Sequence, residues 1–343
     1  MQLPPNPEIS ISKLSAVFNS TSATYKFYWF LSILAAVEKD KRRIDKIELF
    51  ATMISLSWYT INYFHISFGK QDKLQQSIEQ IKMIEKITVD DPKSDIAKRL
   101  LNSKNKQTIS LLTHFDKNVP HKFLSPWLGT GNRSEIYSLS STNLDQPPYS
   151  LLQNEIIIHE RWFEYFKKNL GILKSFCHWN LTLFLQARNP NVPDIPSKIE
   201  RPPIRKSLSA HKLKFWDIVI LKLGELNCIY TGKKLEIGGY AVEHFIPFQF
   251  VAHDLMWNLI PADSSFNSKK GDKLPDFEKY FDTFFEIQKE GFKIIKYHDP
   301  KNKFLQDYLP IFPNLSLDRN RYADTLRPML TIAHNNGFEY FNI

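Results

Sequence analysis

The chain has 343 residues, of which 43% are hydrophobic and 24% charged, as is typical of a folded globular protein. At roughly 150 residues per domain, this length predicts about two domains. The formal net charge of +9 favours polyanionic partners. The two cysteines, Cys177 and Cys228, exclude a disulfide-rich secreted scaffold and a zinc site built from four thiolates.

The apolar pattern predicts neither a membrane segment nor a leader. The longest apolar run, residues 27–37, is interrupted by Ser32 and followed by Glu38. A membrane-spanning helix needs about 20 apolar residues, so this run predicts a buried helix. The N-terminal stretch MQLPPNPEIS lacks the basic start and apolar core of a signal peptide. We therefore expect a cytoplasmic protein with no membrane partner.

The N-terminal half is predicted to be mainly helical. Apolar residues recur at three- and four-residue spacing through 21–84, with a helix end and a turn at the charged stretch 38–43. The stretch 89–109 is polar and predicted to be exposed. Prolines and glycines between residues 120 and 148 favour short strands or ordered loops. Residues 154–186 again show the spacing of helices.

A proline-rich stretch marks the predicted domain boundary. Five prolines lie at 190, 193, 196, 202 and 203. Proline disfavours helix at its own position and at the residue before it, so we interpret 189–204 as a stiff linker. The chain is thereby divided into a helical N-terminal region, 1–188, with a recognition or regulatory role, and a C-terminal region, 205–343.

The C-terminal region mixes helices with two short strands. A helix is predicted over 212–226, a strand over 240–244 and a second strand over 258–261. A further helix is predicted from near Asp263, whose carboxylate can accept hydrogen bonds from the first N–H groups of a helix. The fold class predicted for the whole chain is therefore α+β and mainly helical.

Residues suited to phosphodiester hydrolysis concentrate in this region. Three stretches follow one another: VEHFIP at 242–247, DLMWNLIP at 254–261 and FNSKKG at 266–271. The hydrolysis needs a base that works near neutral pH, which imidazole supplies. It also needs a divalent cation, held by oxygen ligands, to neutralise charge on the leaving oxygen.

His244 and Glu243 can supply the base and a ligand where a strand ends. Adjacent strand residues point to opposite faces, so the pair can serve one site only if the strand breaks into a loop, and Pro247 is consistent with such a break. Asn267, in the first turn of the next helix, can complete the metal site. Two lysines can contact phosphate, at positions Lys269 and Lys270. His253 and Asp254 can form an imidazole–carboxylate pair, as a tie across the loop or as a substrate contact.

These three stretches resemble the HNH nucleases of the ββα-metal superfamily, in which two short strands and a helix surround one metal ion. The resemblance implies that His244 is the general base and that Asn258 ties the loop backbone and holds the base in place. It implies that Asn267 is a metal ligand and that Glu243 is the other ligand. The implied cofactor is Mg²⁺, Mn²⁺ or another divalent cation, and the implied domain is an HNH module, 205–343, with flanking helices.

Two departures from the family pattern stand out. Glu243 replaces the usual Asp, which keeps the carboxylate but adds a methylene group. Many relatives carry CxxC pairs that bind a structural zinc, whereas here Thr231 stands where the second Cys would follow Cys228. We therefore expect no structural zinc. Hydrophobic packing must stabilise the module instead, by Phe245, Phe248, Phe250, Met256 and Trp257.

The N-terminal region is similar, more weakly, to larger bacterial HNH proteins of restriction and phage defence. The stretches that carry this similarity are 25–30, 68–72, 123–127 and 179–180. The function predicted from the whole pattern is a metal-dependent DNA endonuclease in restriction or anti-phage defence, with a protein partner or a homodimer left open. The alternatives are a degenerate HNH module that binds a nucleic acid or a partner without cutting, and an RNase.

Overall fold

The computed structural model describes residues 2–143, 147–199 and 207–341. Helices dominate these residues and two small antiparallel sheets accompany them, so the predicted mainly helical α+β class is confirmed. The described residues form two compact units. One lies within Met1–Pro190 and Ile195–Arg201, and the other within Asn191–Asp194 and Pro202–Ile343.

The N-terminal unit is built around one helix, α2. Its helices are α1 Ser12–Ser15, α2 Tyr25–Val37, α3 Lys46–Asn62, α4 Lys73–Glu85, α5 Lys93–Leu101, α6 Lys106–Thr113, α7 Val119–Leu128, α8 Arg133–Thr142, α9 Glu160–Lys168, α10 Leu170–Gln186 and α11 Ile195–Lys198, with a 3₁₀ turn at His114–Lys117. Helix α2 is buried nearly all round because α3, α7, α9 and α10 all pack against it. Phe30, which is fully buried on it, contributes about 2 kcal/mol by burial alone.

A three-stranded sheet lies beside these helices. Strand β1 spans Arg43–Asp45, β2 spans Tyr149–Leu151 and β3 spans Glu155–Ile158, in the order β1-β3-β2. Residues 156–158 were expected to be helical, and that prediction is wrong. Ile44 pairs with Ile156 across the sheet, so a distant segment decides the conformation of this β-branched run.

The prediction of strands or loops between residues 120 and 148 is also wrong for much of that stretch, because α7 and α8 occupy it. Pro120 lies in the first turn of α7, where a missing N–H costs nothing, and Pro126 lies in its last turn. The stretch 89–109 is largely exposed but forms α5 and the start of α6, which bury Ile96, Leu100 and Thr108.

The expected linker, 189–204, is described only as far as residue 199, and residues 200–204 lie outside the described residues. Its described part contains the short helix α11. Val192, Ile195 and Ile199 are buried there. The division between the two compact units falls within this proline-rich stretch.

The C-terminal unit places a strand pair against helices. Its helices are α12 Ser209–His211, α13 Asp217–Leu223, α14 Phe248–Val251, α15 Ser264–Lys270, α16 Phe277–His298 and α17 Arg319–Asn335, with a π-helical turn at Lys212–Trp216 and 3₁₀ turns at Met256–Asn258 and Lys303–Tyr308. Strand β4 spans Tyr240–His244 and pairs antiparallel with β5, Leu259–Asp263. Helix α15 packs against both strands and begins behind Asp263, whose carboxylate accepts from Phe266 N at 2.9 Å.

Helix α16 joins the strand pair to the other helices of this unit. It packs against α13, α17 and the π-helical turn. The buried Gln288 on α16 donates to Leu259 O at 2.7 Å and accepts from Tyr308 at 2.5 Å. Gly291 lies on the same helix where it passes close to two rings, since a Cβ there would lie 3.3 Å from Phe215 and Trp216. The aromatic and sulfur side chains expected to stabilise the module are all buried, namely Phe245, Phe248, Phe250, Met256 and Trp257.

In the described ranges, every helix is too short or too polar to cross a bilayer.

Candidate active site

The end of β4 positions Glu243 and His244. In the register of the strand pair, Glu243 lies opposite Ile260 and His244 opposite Leu259. Phe245 N then donates to Asn258 O at 2.8 Å, which extends the pairing by one residue before Pro247 turns the chain into α14. The strand therefore breaks where the sequence indicated that it would, directly after the two chemically important side chains.

A cavity of about 460 Å³ lies at this strand end. Glu243, His244 and Asn267 all line it, so three of the residues predicted for the site meet at one cavity. Asn267 is half-buried in α15. The rest of the lining is Leu208, Val242, Pro247, Phe248, Gln249, Ser268 and Gly271.

Asp254 holds the imidazole of His244. The His244 Nε2 atom lies 2.9 Å from Asp254 Oδ1, although the two residues are ten positions apart in the chain. With a carboxylate as acceptor, Nε2 carries the proton of the neutral ring, so the lone pair that can accept a proton is on Nδ1. The arrangement is that of a general base oriented by a carboxylate.

Two further histidines flank this pair and stay neutral at physiological pH. Burial lowers the pKa of His253 to about 4, and the charge of His244 lowers it further. Burial also lowers the pKa of His211, against the opposing effect of Asp254.

Glu243 is a buried carboxylate with two partners. Its Oε1 atom lies 2.5 Å from Lys270 Nζ, and its Oε2 atom accepts from the Tyr230 hydroxyl at 2.9 Å. Glu243 is 3% exposed and Lys270 is 1% exposed. Burial, followed by the charge of Glu243, raises the pKa of Tyr230 well above its ordinary value, so the hydroxyl remains a donor.

The donor set fits a hard divalent cation. Carboxylate and amide oxygens are the ligands that Mg²⁺ takes from proteins, with water and phosphate completing the shell. Glu243 and Asn267 offer both kinds of oxygen to one cavity, and an ionised carboxylate has about four acceptor sites, more than Lys270 and Tyr230 use. Within the described ranges, no cluster of three or more His, Cys, Asp or Glu side chains could hold a metal ion.

The side chain of Asn258 holds the loop that follows β4 through two hydrogen bonds to the backbone. Its side chain accepts from Ile246 N at 2.8 Å and donates to Ile246 O at 2.8 Å, and it is fully buried. It thereby fixes the backbone directly after β4 and, with it, the position of His244. Asn258 does not line the cavity, so it positions His244 through the backbone and not by direct contact with a substrate.

The two lysines predicted to contact phosphate lie in different environments. Lys269 is exposed on α15 and is not among the residues that line the cavity. Lys270 points inward, where its ammonium also donates to His244 O at 3.0 Å. Lys270 therefore connects Glu243 to the backbone of His244.

Sequence reasoning missed the roles of Asp254 and Tyr230. Asp254 adjoins His253 in the sequence, which suggests a local pair, and it lies in a different stretch from His244, so the sequence carries no direct signal for their contact. Tyr230 lies in the turn that follows Cys228, where the family pattern directs attention to missing zinc ligands. Its stacking on Phe266, with ring centroids 4.4 Å apart, places its hydroxyl at Glu243.

Residues 228–276 match the family model described as HNH endonuclease, and this segment of the chain belongs to that family. The match begins at the turn before the strand pair and ends directly before α16, so it covers both strands, α15 and the residues Tyr230, Glu243, His244, Asp254, Asn258, Asn267 and Lys270. The lining residue Leu208 and the flanking His211 lie before it. Comparisons with curated proteins and with solved structures gave no match. The HNH segment carries the general expectation of nuclease activity on nucleic acid with a divalent metal ion.

Proposed function

We propose that this protein is a metal-dependent endonuclease that hydrolyses DNA phosphodiester bonds. The observation that carries the proposal is that an imidazole oriented by a carboxylate shares one cavity with a carboxylate and an amide. His244 is the general base, and Glu243 and Asn267 hold the cation, which is Mg²⁺ or Mn²⁺.

Each side chain has a definite task in this proposal. His244 accepts a proton from the attacking water at Nδ1, and Asp254 stabilises the imidazolium that forms. Asn258 maintains the loop that carries the base, and Lys270 holds the Glu243 carboxylate in place. Glu243 and Asn267 would hold a divalent cation, which would supply positive charge to offset the negative charge on the leaving 3′ oxygen. Attack of water on phosphorus would break the P–O3′ bond and leave a 5′ phosphate and a 3′ hydroxyl.

Two observations favour DNA as the substrate: the positive net charge of the chain and the match of residues 228–276 to HNH endonucleases. The chain carries a formal net charge of +9, which favours a polyanion. Lys269 is exposed in the turn of α15 that follows Asn267, where it can contact a phosphate beside the cavity. Such contacts position the backbone and carry no sequence information themselves.

The test compares cleavage of plasmid DNA by the purified wild-type protein and by the His244→Ala variant. Because general-base catalysis contributes about 10²–10⁴-fold, His244→Ala should lower the cleavage rate by that factor without unfolding the protein. The control is His298→Ala, an exposed histidine on α16. EDTA should abolish cleavage, and Mg²⁺ or Mn²⁺ should restore it. A His244→Ala protein with full activity would overturn the assignment.

A second candidate is a degenerate module that binds nucleic acid without cutting it. The contact that favours it is the ion pair between Glu243 and Lys270, because an ammonium group already neutralises the proposed metal ligand. Metal titration separates the two candidates: binding of labelled DNA with no cleavage at any Mg²⁺ or Mn²⁺ concentration supports the second. Labelled RNA run beside DNA tests the RNase alternative.

A role in bacterial restriction or anti-phage defence, in the cytoplasm, completes the proposal. The weak similarity of the N-terminal region to larger HNH proteins of restriction and phage defence supports this role. Whether the protein acts as a homodimer or with a protein partner stays open. Plating efficiency of phage on cells that express the wild type or His244→Ala tests it. Equal plating on the two strains across diverse phages would contradict the defence role.

A further inference from the structure

The N-terminal unit contains a second polar cavity, which none of the nuclease residues lines. It has a volume of about 460 Å³ and lies where the starts of α2, α4 and α7 meet. Its lining comes from three segments: residues 20–26, residues 71–73 and residues 114–125. Small-molecule sites typically have volumes of about 300–1,000 Å³, so this cavity is large enough for a nucleotide.

The lining of this cavity is basic. Three lysines and one histidine line it, namely Lys26, Lys73, Lys122 and His114, and no lining residue among those described is acidic. Lys26 Nζ donates to two backbone carbonyls, at 3.2 and 3.4 Å, and Lys73 Nζ donates to Gln76 at 2.7 Å. In the part of the chain that the structure describes, no ion pair joins these lysines to a carboxylate.

The positive charges around the cavity act on one another. Partial burial lowers the pKa of Lys26, and the charge of Lys122 lowers it further. Burial also lowers the pKa of His114, and the charges of Lys117 and Lys73 act in the same direction. An anion placed between these groups would relieve the repulsion that these shifts report.

Asp72 lies between two lining residues in the sequence and does not itself line the cavity, although burial and, after it, the charge of Asp72 raise the pKa of the lining residue Tyr25. Its buried carboxylate accepts from Thr24 N at 2.7 Å, from Thr24 Oγ1 at 2.8 Å and from Leu74 N at 2.9 Å. It therefore connects the first turn of α4 to the residue before α2. Burial raises its pKa, and the hydrogen bonds from Thr24 and Leu74 oppose that shift.

Other features of the lining also favour an anion. Helices α2, α4 and α7 begin at Tyr25, Lys73 and Val119, and all three residues line the cavity. Asp72 already caps the start of α4 and accepts from Thr24 N, so the lysines supply most of the positive charge of the lining. Neutral donors complete the lining, and they are Ser20, Thr21, Ser22, Gln71, Asn118 and Ser125. Tyr25 and His114 add two aromatic rings to the lining.

We propose that this cavity binds a small phosphate-bearing ligand of nucleotide size. The lysines and His114 bind the phosphates, and the hydroxyl and amide groups bind the remainder of the ligand. Among the residues that the structure describes, this cavity shares no lining residue with the nuclease cavity, so the proposal is tested by ligand binding and not by DNA cleavage.

The test is isothermal titration calorimetry on the full chain in EDTA, with four probes. ATP should bind, adenosine should not, and inorganic phosphate should bind more weakly than ATP. A single-stranded oligonucleotide without a terminal phosphate should not compete with ATP. Lys73→Gln combined with Lys122→Gln removes two charge-assisted contacts from exposed side chains, so ATP binding should weaken at least about tenfold.

Two controls locate the binding. Lys98→Gln changes an exposed lysine on α5 of the same unit and should leave ATP affinity unchanged. Lys269→Gln changes the lysine beside the nuclease cavity and should also leave it unchanged. The proposal is overturned if no phosphate-bearing probe binds, if adenosine or inorganic phosphate binds as well as ATP, or if Lys269→Gln weakens ATP binding and the double variant does not. Displacement of ATP by the oligonucleotide would indicate a polynucleotide site and would overturn it too.

Discussion

His244 acts through a neighbour that the chain brings to it from ten residues away. Asp254 fixes the orientation of the ring by its 2.9 Å contact with Nε2. A carboxylate in this position also stabilises the protonated ring that forms during proton transfer. The two residues therefore act as one unit, in which Asp254 is a positioning residue.

Asp254→Asn should lower kcat and leave KM for DNA nearly unchanged. The amide keeps the shape but loses the charge that stabilises the imidazolium, and loss of such orienting partners typically costs about 10–100-fold in activity. The measurement is steady-state cleavage of a labelled duplex. Asp324→Asn, an exposed change on α17, is the control. A rise in KM with unchanged kcat would show that Asp254 acts on binding and not on the base.

Because Glu243 pairs with Lys270, variants of the two residues can separate the effect of Glu243 on folding stability from its effect on DNA cleavage. Glu243→Gln leaves the Lys270 ammonium buried without its carboxylate, so the free energy of unfolding should fall by about 3–5 kcal/mol. Adding Lys270→Met removes the unpaired charge and should restore most of that loss. DNA cleavage should be lost in the single and the double variant alike.

Urea unfolding with a cleavage assay on the same samples measures both effects. Glu290→Gln on α16 breaks the exposed pair with Lys293 and should change stability by no more than about 0.5 kcal/mol. If the double variant cuts DNA at the wild-type rate, Glu243 is a structural residue and not a cation ligand.

The spacing of the three motifs was enough to choose His244, Glu243 and Asn267 before their positions were known. The cavity they share is a property of local structure, since a strand end and the first turn of the next helix adjoin whenever a ββα unit forms. Asp254 and Tyr230 could not be chosen in the same way. Their contacts depend on the path of a loop and on a ring stack, which a single sequence does not specify.

At the level of elements, the start of α15 depends on Asp263. Hydrogen bonds from Ser265 and from Phe266 N hold the pKa of this carboxyl down at about 2, below its ordinary value of 3.8. A group with a depressed folded-state pKa stabilises the fold above its unfolded-state pKa, and this contribution is lost as the pH falls through the folded value. The cap therefore matters at neutral pH and fades toward pH 2.

Asp263→Asn should destabilise the protein most at neutral pH. The difference in unfolding free energy between wild type and variant should shrink as the pH falls from about 5 to about 2, because the wild-type carboxyl becomes neutral over that interval. Urea unfolding at a series of pH values measures it. A difference that stays constant with pH would mean that the charge of Asp263 contributes nothing.

The predicted elements were most accurate where structure is local. The strand at 240–244, the strand near 258–261 and the helix after Asp263 follow from alternation and capping. Residues 156–158 did not, because a short apolar run has no helical or extended preference until Ile44 pairs with it. Helix α7 was missed because Pro120 and Pro126 are helix breakers in the interior of a helix but tolerated near its ends.

At the scale of the whole molecule, the two compact units have separate cores. The HNH segment lies wholly in the second unit, and the basic cavity lies wholly in the first. This separation is the basis for proposing that the region 1–188 recognises or regulates and that the region 205–343 cuts.

A fragment from residue 205 onward should retain metal-dependent cleavage but lose the site preference of the full chain. The small HNH module is expected to contact mainly the phosphate backbone of DNA and to read little base sequence. The choice of cutting site should therefore depend on the N-terminal unit. Mapping of cut ends on plasmid, phage and modified DNA compares the two proteins, with the His244→Ala fragment as control. Identical cut sites at identical relative rates would rule out a recognition role for the N-terminal unit.

The inward-pointing Lys270 has a consequence for how the protein is made. Many small metal-binding modules cannot fold until their ion arrives, because their ligands repel one another in the empty state. Here the Lys270 ammonium group already neutralises the Glu243 carboxylate, so the fold does not depend on a cation for that purpose. Under the proposed function, a chelator should therefore stop DNA cleavage and leave the protein folded.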